Sequence, residues 1–151
     1  TINSERYCFN ERGEMQTGLQ SLKQADGSFA SYYFGDDGVM RTGKQTIYND
    51  DLEENQIWYF QTKGSLKGQG YHGERDNQVY VNGLLKKADP ELRYEPVSTG
   101  EKRYLVNTSG TIQKATSSSS SASRPELGKG FKDIKDSNDT VWTVDTSGII
   151  Q

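Results

Sequence analysis

The chain has 151 residues, of which 31% are apolar, 11% aromatic and 26% charged, with a formal net charge of −3. No run approaches the roughly 18 apolar residues that a membrane-spanning helix needs, so membrane insertion is not expected. A pI near 5.2 with dispersed lysines leaves no basic stripe to neutralise phosphates, which excludes nucleic acid as the expected partner.

From Tyr7 onward one short pattern recurs. An aromatic lies six residues before a glycine, and an aliphatic follows two residues after it: Tyr7, Gly13 and Met15; Tyr32, Gly38 and Met40; Trp58, Gly64 and Leu66; Tyr104, Gly110 and Ile112; Trp142, Gly148 and Ile150. A shortened copy, Val79 to Leu85, fills the widest gap. Self-similarity at a period of about 20 to 40 residues is the mark of a repeat architecture. Within a copy, positions one and three of the aromatic triplet share a strand face, as Tyr32 and Phe34 do, while Tyr33 points the other way. The polar residues and glycine that follow suit a type I turn closed by a left-handed bulge residue. Each copy is thus expected to be a β-hairpin, and a lone hairpin is marginal in water.

The expected fold is therefore all-β, a β-hairpin solenoid of about six stacked repeats in a single domain over 1–151, with a thin aromatic core and no large globular one. Hairpin units are expected near 7–20, 32–45, 58–70, 78–87, 104–114 and 142–151. Between the early copies, Ser21 to Ser31 and Gln45 to Gln56 read as polar connectors. Ala88 to Leu92 reads as a connector or a single helical turn, since proline suits a helix start. The serine-rich stretch 115–124 reads as an exposed, flexible loop. Lys132 to Gln151 restores a hairpin, as a last, atypical repeat. With Thr1 in place of an initiator methionine, the chain reads as a fragment of a longer secreted protein.

The inventory for chemistry is thin. His72 has no second histidine with which to share a metal and no patterned nucleophile beside it. Cys8 stands where Tyr33 and Tyr59 stand in the sister copies and reads as a packing substitute. Asp36 and Asp37 lie in a turn, where aspartate is favoured for turn chemistry. The clusters Asp50, Asp51, Glu53, Glu54 and Asp133, Asp136, Asp139 lack the spacing of a calcium loop and read as solvated charge. No catalytic residue, metal site or cofactor is expected. The candidate ligand contacts are Tyr33, Tyr48, Trp58, Tyr59 and Tyr71, whose flat rings suit the C–H face of a sugar.

The string from Tyr32 to Gly43, aromatic-Tyr-Phe-x-x-x-Gly-x-Met-x-Thr-Gly, resembles the cell-wall-binding repeats of Gram-positive surface proteins. That family includes choline-binding modules and the oligosaccharide-binding repeats of clostridial toxins and glucan-binding enzymes. The resemblance is strongest over 7–20, 32–45 and 58–70. In members that hold choline it implies a tryptophan directly after the repeat-closing glycine, boxing the ammonium by cation–π attraction. Here Leu19, Lys44 and Gln69 take that place, so the third wall is missing. The resemblance implies a secreted, cell-wall-associated, non-catalytic module that binds cell-wall or surface polysaccharide. Two alternatives stand beside it: a structural spacer or adhesin stalk with no glycan site, and a receptor-binding repeat for host oligosaccharides. Pairing of such rods into a homo-oligomer is left open.

Overall fold

The computed structural model describes residues 7–151. It is built of short antiparallel strands with one 3-10 turn, Pro125–Leu127, and no α-helix occurs among the described residues. None of it, accordingly, is a helix long and apolar enough to cross a membrane. The chain divides into two compact units, Thr1–His72 with Tyr80–Leu85, and Gly73–Val79 with Lys86–Gln151.

In the first unit, β1 (Cys8–Phe9) and β2 (Met15–Gln16) form a hairpin. Next come β3 (Gly18–Lys23), β4 (Phe29–Phe34) and β5 (Met40–Arg41), with β4 in the middle. Then β6 (Gly43–Asn49) pairs with β7 (Glu54–Phe60) over seven residue pairs. β8 (Gly73–Arg75) belongs to the second unit, while β9 (Gln78–Val81) is divided, with Tyr80 and Val81 in the first. These two residues pair with β10 (Leu84–Leu85), whose Leu84 also lies opposite Trp58.

This corrects the connectors. Ser21 to Ser31 and Gln45 to Gln56 are strand, turn and strand, so the aromatic strands β4 and β7 each have a partner on both sides. Gly18 to Lys23 alternates in exposure, with Gln20 and Leu22 on the half-buried face. Gln20, opposite Tyr32, stands on that half-buried face with its amide tied to the Thr17 carbonyl at 2.8 Å, and polar composition hides such a strand from a hydrophobicity count.

The turns repeat one construction. At Asn10, Asn107, Asp136 and Asp145 the first residue donates its N–H to the carbonyl four residues on, and its own carbonyl receives the N–H three residues on. Its side-chain oxygen also accepts the N–H groups two and four residues ahead. This is the expected type I turn with a left-handed closing residue, reinforced by an Asx bond.

The closing glycine has a second task. In the first unit the Met15 side chain lies over Gly38, and Met40 lies over Gly68; in the second, Ile112 lies over Gly148. A Cβ on any of these three glycines would overlap the seated side chain. The aliphatic two residues past one turn thus rests on the bare backbone of a later turn, which accounts for the glycine-x-aliphatic spacing.

In the second unit, β11 (Tyr94–Ser98) pairs with β12 (Arg103–Asn107), and β13 (Lys132–Lys135) with β14 (Val141–Val144). Leu105, Ile134 and Val144 form its core, with Tyr94, Trp142 and Ile150 packed around them. The Trp142 indole donates to Asp136 Oδ2 at 3.0 Å, and the Arg103 guanidinium sits 5.9 Å from its ring centroid. Leu92 and Arg93 both donate to the Asp89 carbonyl, so the stretch expected to be a connector or a single helical turn is a hydrogen-bonded turn.

The serine-rich stretch is mostly exposed, as composition leads one to expect, but it is pinned at two buried positions. Ser121 is 2% and Ala115 7% exposed. The Asp133 carboxylate accepts from Ser121 Oγ, from Ser123 N and Oγ at 2.9 Å each, and from Thr143 Oγ1 at 3.0 Å. Chiefly through Ser121, with Ser123 and Thr143 adding to it against desolvation, its pKa is held far below the usual carboxylate range.

Two outcomes follow in denaturation. Gly148→Ala, which meets the Ile112 methyl and the Gln113 carbonyl, costs more than Gly38→Ala, which meets only a flexible methionine. Gly13→Ala meets nothing and bears only the left-handed backbone cost of about 1–2 kcal/mol. For Asp133, folding lowers the pKa, so its contribution is complete above the unfolded value of about 3.9 and is lost as pH falls below it. Asp133→Asn is expected to lose about 1–3 kcal/mol at neutral pH, and melting curves against pH show this gap narrowing toward acid.

Candidate functional site

The register of β3 on β4 sets one face of the first unit. Gln20 lies opposite Tyr32 and Leu22 opposite Ala30, so Leu22, Tyr32 and Phe34 point to the same side. Tyr7 and Phe9 of the first copy stand across from them, and together with Met40 they border an open groove of about 500 Å³. Phe34, 3% exposed, is its floor; Tyr7 and Tyr32 are half-buried walls, and Phe9 is 55% exposed. Gln24 closes one end, its amide tied to the Leu22 carbonyl at 2.8 Å. Lys23 is the one charged residue along the lining, which holds no carboxylate.

Cys8 explains why the groove is open. In the next copy the matching residue, Tyr33, lays its ring on Phe60, with centroids 6.2 Å apart and planes at 18°. The shorter, half-buried Cys8 borders the groove beside Phe34 and leaves the corresponding space empty. The packing substitute expected from the sequence is thus a vacancy by comparison with its sister copies.

The five expected contacts lie elsewhere, and none borders this groove. Trp58 is 8% exposed and stacks on Phe60 at 6.1 Å and 5°, with a buried indole N–H that has no hydrogen-bond partner among the described residues. Tyr59 and Tyr71 pack with the buried Tyr80 at centroid distances of 5.9 to 6.3 Å. Their backbones close a ring of hydrogen bonds, Tyr71 N to Tyr59 O, Gly83 N to Tyr71 O, and Tyr59 N to Gly83 O. At those separations the three rings touch one another and leave no gap between them. Tyr33 is half-buried against Phe60, and Tyr48, 56% exposed, stands on the outer face of β6.

The groove is bordered instead by Tyr7, Phe9, Tyr32 and Phe34, which the sequence places at positions one and three of the aromatic triplet. The available signal was the cysteine at position two of the first copy. Among the other chemistry-bearing residues, His72 is exposed and its Nδ1 accepts the Asn82 N–H at 3.2 Å, holding the β9–β10 turn. Asp133 and Asp136 are engaged in the bonds described above, and no group of three metal-ligating side chains occurs among the described residues. A groove of aromatic faces without a nucleophile–base pair can bind, by stacking and desolvation.

No family model matches the chain. A curated relative is the large tegument protein deneddylase of murid herpesvirus 1 (strain K181), 26% identical over 106 residues, which are 70% of this chain and 5% of that protein. Among solved structures, CbpJ from Streptococcus pneumoniae TIGR4 aligns with a TM-score of 0.44 and 18% identity, covering 99% of this chain and 46% of its own. CbpF, in complex with ipratropium, aligns with a TM-score of 0.42 and 17% identity, covering 96% and 42%. The chain spans less than half the length of either solved structure.

Proposed function

We propose that the chain is a non-catalytic module that binds cell-wall or other surface polysaccharide and so tethers an exported protein to a bacterial surface, its hairpins stacked in the manner of a solenoid. The observation that carries this reading is the groove bordered by Tyr7, Phe9, Tyr32 and Phe34. Its floor and walls are flat and apolar, and its end carries an amide, a combination that suits the C–H face and hydroxyls of a sugar ring. Tyr33 and Tyr48 serve as secondary contacts on the opposite strand faces. Trp58, Tyr59 and Tyr71 act by packing. One groove of this size gives weak affinity, and avidity comes from several modules or copies acting on one polymer.

A spacer or stalk with no glycan site is the second reading. It is favoured by the closure of the Tyr59, Tyr71 and Tyr80 cluster, which leaves the later copy without a comparable opening.

Retention on purified Gram-positive cell walls decides between them. The intact chain is expected to bind, Tyr32→Ala to weaken binding by about 3- to 10-fold through loss of a stacking face worth about 0.5–1.5 kcal/mol, and Cys8→Tyr to block the groove while leaving the fold intact by circular dichroism. An intact chain that passes through unretained contradicts the binding reading and supports the spacer; binding to host rather than bacterial glycans on an array moves the module to receptor recognition.

A further inference from the structure

We infer that the outer face of the first hairpin is a docking surface for one more hairpin of the same repeat, joined ahead of Tyr7 in the parent polypeptide. Two positions in the repeat gauge whether a copy is covered by a predecessor. The first is the third residue of the aromatic strand. Phe34 is 3% exposed and Phe60, Val106 and Val144 are at 0%, yet Phe9 in the same place is 55% exposed. The ring that closes over Phe60 belongs to Tyr33 of the copy before it.

The second gauge is the glycine floor. Gly38, Gly68 and Gly148 are buried beneath Met15, Met40 and Ile112. Gly13 has the same backbone, with φ at 79°, but is exposed, and among the described residues nothing lies within 4 Å of a Cβ built on it. Phe9 also borders the groove, so its exposure has two sources; Gly13 lies outside the groove lining and has one. Gly64 is open as well, but the seat in that copy has moved to Gly68, where Met40 rests.

The internal contacts specify the occupant. It carries an aliphatic side chain two residues past its turn glycine, to rest on Gly13, and a flat side chain at position two of its aromatic strand, to cover Phe9. This continues an interface already present three times, and it stands independently of the glycan reading. A second copy of the chain is a poorer fit, since its last aliphatic, Ile150, is already packed against Leu105 and Val144.

The test inserts a copy of residues 7–31 ahead of Tyr7, so that Tyr7 follows a serine as Tyr32 follows Ser31. The extended chain is expected to melt several degrees above the parent, and the Gly13 amide to exchange at least tenfold more slowly. Replacing the methionine of the inserted copy by aspartate returns both to the parent values. Gly13→Ala is tolerated better in the parent than in the extended chain. An inserted segment that is digested by protease while the melting point stays unchanged overturns the inference, as does a parent chain that sediments as a dimer dissociated by Gly13→Trp.

Discussion

The fold depends on side chains seated on bare backbone. Each hairpin is too small to shield its own apolar face, and the chain has too few aliphatics for a thick core. What it has is a set of turns that end in a left-handed glycine and an aliphatic two residues beyond, so that Met15, Met40 and Ile112 each find a surface without a Cβ. Gly38 and Gly148 each close their own turn and receive a neighbour's side chain, while Met40 is seated on Gly68, beyond the open Gly64. One residue type meets both demands because both require the absence of a side chain.

Much of this was legible in the sequence, because the spacing of aromatic, glycine and aliphatic is a local pattern repeated in register. Turn type was legible as well, since Asn10, Asn107 and Asp145 stand where an Asx bond forms. The outer strands were not, because Gln20, Ser21, Gln45 and Thr46 make them look like linker, and their half-buried faces carry glutamines whose amides bond the Thr17 and Thr42 carbonyls. Nor was the Asp133 clamp, which joins residues ten to twelve positions apart. The half-buried Asp133 carboxylate gathers hydroxyls of the serine-rich stretch, and sequence composition holds no record of such an acceptor.

The groove was missed for a related reason. Whether a ring in the aromatic row is core or surface depends on the size of one residue in the copy before it. Tyr33 fills that place over Phe60, whereas Cys8 does not fill it over Phe34. In the binding reading, one small residue in an otherwise regular array leaves a groove open without altering strand register or turn geometry. Tyr32 then borders open space while Phe34 stays buried beneath it, and a reading made copy by copy does not detect the difference.

The most direct measurement of the seated-side-chain account is a double-mutant cycle on Met15 and Gly38, followed by chemical denaturation. Met15→Ala removes the seated group and Gly38→Ala obstructs its seat, so the account predicts that alanine at 38 costs less once Met15 is truncated, with a coupling of about 0.5 kcal/mol or more. Costs that simply add would show that the two residues act separately, and would contradict the claim that one turn is held by the next.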